Sequence, residues 1–177
     1  KLLLGFLSIA LLLAVMGYVA VRGARQISVS FDVAANSATP AIRALLEIKS
    51  AANEIEAQTV AFYLTGDAHS REEGSATGVH KYALIGKVEK LVRWTERYER
   101  VVREGEGGVR VGVARKIRRS QEDVVNEAFD IFELMEMGVV GDLLLSARHE
   151  LVRAQDALRE VVAEAIENEL AYINGQN

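Results

Sequence analysis

The side chains able to do chemistry in this sequence are few and scattered. It has three histidines, His69, His80 and His149, and no cysteine. No Glu-x-x-His, His-Glu-x-x-His or similar pair occurs at helical spacing, so the carboxylate–histidine metal site that some helical bundles build is not encoded. His69 and His80 flank one short polar stretch, and two surface histidines so placed are ordinary; no metal site is expected. Without a thiol, neither disulfide nor thiolate chemistry is available, and a chain without cysteine is compatible with an extracytoplasmic site. The Gly-rich run at 105–108 (GEGG) lacks the Lys and the Ser or Thr of a phosphate loop and reads as a break between helices. No catalytic residue and no cofactor is expected.

The charged and aromatic residues offer a little more. Arg110, Arg115, Lys116, Arg118 and Arg119 form the densest basic run. It is either an anion or lipid-headgroup contact or a solvated face paired with Glu96, Glu99 and Glu104 of the preceding segment. The second is expected, because surface ion pairs are common and individually weak. Glu122, Asp123, Glu127, Asp130 and Glu133 read as a solvated acidic face. Tyr98 falls on an apolar seam and is assigned to the core. Trp94 lies beside that seam, where packing is its expected role. If a small ligand binds, Trp94, Arg97 and Arg43 are the candidates to hold it.

The elements that must position these residues are helices. From Pro40 to Thr65 the sequence places Ala41, Leu45, Ile48, Ala52, Ile55, Thr59 and Phe62 at alternating spacings of four and three, a heptad seam. Thr39 suits the N-cap and Pro40 the first helical position, whether a new helix starts there or a longer one kinks. Gly66-Asp67 is expected to stop this helix, with a polar loop over 67–78. A second helix is predicted over about 79–103, with Leu84, Val88, Leu91, Thr95, Tyr98 and Val102 on its seam. A third, over about 109–137, has Val113, Ile117, Ser120, Val124, Ala128, Ile131 and Met135. Its alternating Val109, Val111 and Val113 are read as a frayed helix start, being too short for an isolated strand. Gly138–Gly141 ends it. Asp142 is the expected N-cap of a fourth helix, over about 142–174, with Leu144, Ala147, Leu151, Ala154, Leu158, Val161 and Ala165. The expected fold is all-α: an antiparallel up-down-up-down four-helix bundle over 40–177, with crossing angles of about 20°.

Ahead of the bundle, Leu2 to Val21 carries no charged side chain, and Arg22 and Arg25 close the run. About 20 residues at 1.5 Å each reach roughly 30 Å, the hydrocarbon thickness of a bilayer. The run is long for a signal peptide, and an uncleaved anchor helix over 1–25 is expected, joined to the bundle by a helical connector over 26–39. Gly5, Ala10, Ala14, Gly17 and Ala20 lie along it at three- to five-residue intervals, a pattern that lets such helices pack closely on one another.

Charge narrows the partners. All 25 acidic residues follow Phe31, while Lys1, Arg22 and Arg25 precede it, so the body holds 18 basic against 25 acidic side chains, a net of −7. An acidic body argues against nucleic acid, whose binding needs basic surface. The expected partners are membrane lipid or further copies of this chain, in a homo-oligomer, with a small-molecule ligand as a possible addition.

The opening KLLLGFLSIALLLAVMGYVAVRGARQI resembles the first membrane helix of bacterial and archaeal methyl-accepting chemotaxis receptors and sensor histidine kinases. TPAIRALLEIKSAANEIEAQTVAFYLTGD and GDLLLSARHELVRAQDALREVVAEAIENEL resemble the first and last helices of their extracytoplasmic four-helix sensor domain. The resemblance covers nearly the whole chain. It implies a membrane-anchored sensory bundle that works as a dimer and passes a signal by small helix displacements. In those families a second membrane helix and a signalling region follow the bundle; this sequence stops at Asn177 with neither, so it is expected to be the sensing end. No arginine pattern maps onto an amino-acid receptor's ligand site, so the resemblance implies no ligand.

A structural reading stands beside this one. A hydrophobic N-terminal helix ahead of a polar body is also the design of type IV pilin-like filament subunits, where the apolar helices pack together in a filament core. The first residue is Lys1 and not Met, as processing or trimming would leave it. Position 5 is Gly5 where such subunits carry a glutamate near the start, and a helical body replaces their β-sheet head.

Overall fold

The structure, a computed structural model, describes residues 15–25, 35, 38–69, 75–104, 108–139 and 141–175, with backbone alone for 64–69, 75–80 and 175. The described residues are helical apart from short turns. We label the helices α1 (residues 15–25), α2 (Thr39–His69), α3 (Ser75–Glu104), α4 (Gly108–Glu136) and α5 (Asp142–Gly175). Most of the expected anchor, with Gly5, Ala10 and Ala14, and the connector over 26–39 apart from residues 35, 38 and 39 lie outside the described residues. Among the described residues no helix is long and apolar enough to cross a membrane. In α1, Val15, Met16, Tyr18, Val19 and Val21 are all more than half exposed, and nothing lies within 4 Å of where a Cβ on Gly17 would stand.

Four long helices surround one apolar core. Leu45, Ile48 and Ile55 of α2, Leu84 and Leu91 of α3, Ile117 and Ile131 of α4, and Leu151 and Leu158 of α5 are fully or almost fully buried. Burying each such side chain stabilises the fold by about 1.5–3 kcal/mol before chain entropy is counted. Ala41, Ala44, Ala51 and Ala52 let α2 sit close to its neighbours. Phe62 of α2 and Phe132 of α4 stack, ring centres 4.3 Å apart. The larger interfaces are α2 on α3 and α4 on α5, while α2 meets α5 along a thinner seam.

Side-chain pairs fix which levels meet. Glu54 of α2 takes Lys87 and Lys90 of α3, both at 2.6 Å. Lys81 near the start of α3 reaches Glu136 at the end of α4 at 2.8 Å, and Arg118 of α4 reaches Glu99 of α3 at 3.2 Å. Lys116 of α4 meets Glu164 of α5 at 3.2 Å. Arg159 of α5 bridges Glu56 at 2.7 Å and Asn53 at 3.1 Å on α2.

Several boundaries differ from the sequence reading. Helix α2 does not stop at Gly66-Asp67 but runs to His69, and α3 begins at Ser75, so the described residues of the expected loop over 67–78 are helical. A Gly costs a helix only about 1 kcal/mol relative to Ala, and a helix already committed to a bundle carries through it. Pro40 stands in the first turn of α2, where a missing N–H costs nothing. Helix α4 ends in a Schellman motif: Gly138 N–H bonds the Met135 carbonyl at 3.0 Å and Val139 N–H the Leu134 carbonyl at 2.9 Å, with Gly138 at φ 71°. Asp142 is the first residue of α5 and not its cap. The cap is Gly141, whose carbonyl accepts the Leu145 N–H at 3.1 Å.

Two seams are also corrected. In α4 the buried residue is Gln121, and Ser120 is only half-buried. In α5 the buried residues that accompany Leu144, Leu151 and Leu158 are Gln155, Val162 and Glu169, while Ala147, Ala154 and Val161 sit at the edge of the core. The true row lies one residue further round the helix than apolarity suggests.

Candidate functional site

The most distinctive arrangement is a charged cluster inside the bundle. On α4, Arg110 precedes Ile117, Val124 and Ile131 at steps of seven, so it occupies a core row of that helix. On α5, Glu169 follows Gln155 and Val162 in the same way. Arg110 is 5% exposed and Glu169 fully buried. Heptad geometry therefore brings a cation and an anion face to face in the interior.

They meet as a two-pronged fork. Arg110 Nε donates to Glu169 Oε1 at 2.9 Å and its Nη2 donates to Oε2 at 2.7 Å. Paired guanidinium and carboxylate planes are the strongest side-chain arrangement of this kind. Tyr98 of α3, also in the core, donates its hydroxyl to Glu169 Oε1 at 3.3 Å. The ring of Tyr172, three residues on from Glu169, lies 4.6 Å from the Arg110 guanidinium carbon and adds a cation–π contact. Burial, then the nearby Glu169 carboxylate, raises the Tyr98 phenol above its ordinary range, while Arg110 pulls the other way. The phenol therefore stays protonated and donating. The cluster is neutral, internally paired, and ties three helices together.

One further core polar group is less completely satisfied. Gln155, fully buried, donates from Nε2 to the Ala52 carbonyl of α2 at 3.3 Å, and its Oε1 has no partner among the described residues. A slit where α2, α4 and α5 meet is lined by Thr59 and Tyr63 of α2, Ile131 of α4, and Leu144, Arg148 and Leu151 of α5. Its volume is about 20 Å³, enough for a single water molecule.

The residues singled out from sequence are placed as follows. Arg97 lies over Trp94, its guanidinium carbon 5.2 Å from the ring centre, on successive turns of α3. Trp94 is half-buried against the core, as its position beside the seam suggests. Arg43 is exposed on α2, and no ion pair among the described residues joins it to that pair. Gly17 and Ala20 lie on α1, exposed. The basic run divides: Arg118, exposed, pairs with the buried Glu99, Lys116 pairs with Glu164 at the surface, and Arg110 turns inward to Glu169. His149 is exposed, the side chains of His69 and His80 lie outside the described residues, and no group of three or more potential metal ligands occurs among the described ones.

Sequence reasoning missed Arg110, Glu169, Tyr172 and Gln155. The signal that would have found three of them is the seven-residue recurrence, followed through polar residues instead of ending at the last apolar one. No protein-family model matches the chain, and neither a curated protein nor a solved structure matches it.

Proposed function

We propose that the chain is a membrane-anchored, extracytoplasmic sensory bundle that acts as a dimer, with its N-terminal apolar helix in the lipid. The bundle is then an antiparallel up-down-up-down one. The pairings Lys81–Glu136 with Arg118–Glu99, and Arg110–Glu169 with Lys116–Glu164, support opposite directions for successive helices. The levels of α2 and α5 support the same order: Ala52 meets Gln155, while Tyr63, later in α2, shares a slit with Leu144, earlier in α5.

The observation that carries the reading is the Gln155–Ala52 contact, whose level supports the start of α2 and the end of α5 lying at one end of the bundle. The apolar segment joins there, so a displacement of α5 relative to α2 would be felt at the membrane. Small slides and tilts of packed helices are an established form of switching. The exposed apolar side chains of α1 support the need for a burial partner, since a helix that is apolar all round is not left in water. A small molecule binding between helices or between two copies would bias the displacement.

Reporter fusions test it. An alkaline phosphatase that works only outside the cytoplasm, fused after α5, is expected to be active, and a cytoplasmic reporter at the same point inactive. The reverse pattern sinks the proposal. The second reading, a filament subunit with its apolar helices packed on one another, is favoured by the open surface around Gly17. Electron microscopy separates the two: detergent-bound dimers support the sensor, and long filaments free of lipid support the subunit.

A further inference from the structure

The core-facing side of α5 consists of two rows, each repeating every seven residues. Leu144, Leu151, Leu158 and Ala165 make one, and Gln155, Val162 and Glu169 the other. Such a stripe is nearly degenerate in one axial direction. Moved one turn so that each place is taken by the residue four earlier, α5 would present Ala147, Leu151, Ala154, Leu158, Val161 and Ala165, all apolar, and apolar packing alone discriminates weakly between such registers. The opposite move would carry Arg148 and Arg159 to the buried places of Leu144 and Gln155 and is opposed by their charge. In the open direction the charged pair opposes the move, which brings Ala165 opposite Arg110 in place of Glu169. The guanidinium, 5% exposed, would then lose the carboxylate that holds it by two hydrogen bonds.

We infer that the Arg110–Glu169 fork is a register latch. It fixes the axial position of α5 against α3 and α4, at the end of the bundle where α2 begins. A buried ion pair adds little net stability over an apolar pair of the same volume, whereas separating its members is costly. That combination selects one arrangement and penalises the intermediates. The Tyr98 hydroxyl extends the latch to α3, and the Gln155–Ala52 bond marks the same register on the α2 side. The latch rests on bundle geometry alone and holds whether or not the bundle faces a membrane.

Spin-label distances read the register directly. The chain has no cysteine, so Ala57→Cys on α2 and Glu167→Cys on α5, both at exposed positions, carry two labels without background. Counted from the Ala52–Gln155 level, the sites are about 25 Å apart along the bundle, and a one-turn move of α5 changes their separation by about 5 Å. The labelled full chain is expected to give one narrow distance. Arg110→Met with Glu169→Leu is expected to keep its helicity and to add a second distance displaced by about one turn. Val162→Ala, which loosens the same row without touching the fork, is expected to keep the single distance. An unchanged single distance in the double variant overturns the latch. An equal split in Val162→Ala overturns it too, since general loosening would then account for both. If the double variant loses its helicity, Glu169→Gln is measured with the same two outcomes deciding. Loss of helicity in that variant as well overturns the latch, because the pair would then supply stability and not register.

Discussion

Arg110 and Glu169, 59 residues apart in sequence, meet fork to fork in the interior at 2.9 and 2.7 Å. Their burial removes both from water, so each depends on the other for solvation. The surface pairs of the same bundle behave differently. Arg153 with Glu150 and Arg118 with Glu122 stay largely hydrated, and such pairs contribute little. The interior pair is therefore where single and double substitutions must diverge.

Replacing one partner alone, by Arg110→Met or Glu169→Leu, leaves an uncompensated charge in the core and is expected to cost about 3–5 kcal/mol. Replacing both removes the charges and leaves only the Tyr98 hydroxyl without its acceptor, so stability is expected to return to within about 1–3 kcal/mol of the parent. Urea unfolding of the four proteins closes the cycle. A coupling energy under about 1 kcal/mol would mean that the pair is not desolvated as described.

Acid is expected to act through Glu54. Hydrogen bonds from Lys87, then from Lys90, hold its carboxyl down from 4.5 to about 2. A carboxylate whose folded value is depressed stabilises the fold above its unfolded value and loses that contribution as pH falls through the folded one. The window is thus about pH 5 to 2. The side chain is 30% exposed, so solvent screening limits the effect to about 1 kcal/mol. Glu54→Gln is expected to be less stable than the parent by that much at pH 7, with the gap closing across the window. A gap that stays constant down to pH 2 would refute this assignment.

Glu127 is expected to act with the opposite sign. Burial, reinforced by Asp130, Glu150 and Asp123, raises its carboxyl. A group that holds its proton more tightly in the folded chain adds stability at low pH and loses it as pH rises through the folded value. At pH 7 the ionised side chain is therefore a small liability. Glu127→Gln is expected to stabilise by a few tenths of a kcal/mol there, with the advantage disappearing in acid. Thermal melts at pH 7 and pH 4 measure both.

The helices were legible because their seams repeat over six or seven contacts, and Gly138 and Gly141 mark the break between α4 and α5, although Gly66 does not end α2. Leu84, Leu91, Tyr98 and Val102 of α3 lie in the core as the period requires. What was not legible was the polar part of the same period. At Ala154/Gln155 and Val161/Val162, two adjacent positions compete for one place on the seam, and apolarity favours Ala154 where the structure buries Gln155. Ser120 and Gln121 repeat the ambiguity on α4. Arg110 was grouped with its basic neighbours Arg115 to Arg119, although only its phase separates it from them. A buried ion pair needs both members in phase on different helices, and one helix's pattern cannot reveal its partner on another.

Two glycines should respond to alanine in opposite directions. Gly138 has φ 71° in the turn that closes α4. A Cβ there meets no neighbour, so its cost is purely that of the left-handed backbone, about 1–2 kcal/mol. Gly86 sits exposed inside α3, with nothing within 4 Å of its added Cβ. Alanine there removes backbone freedom from the unfolded chain and is expected to stabilise by about 0.5–1 kcal/mol. Melting temperatures of Gly138→Ala and Gly86→Ala against the parent decide it. Stabilisation by Gly138→Ala would mean that α4 does not end in a left-handed turn, and destabilisation by Gly86→Ala would mean that a partner covers this face of α3.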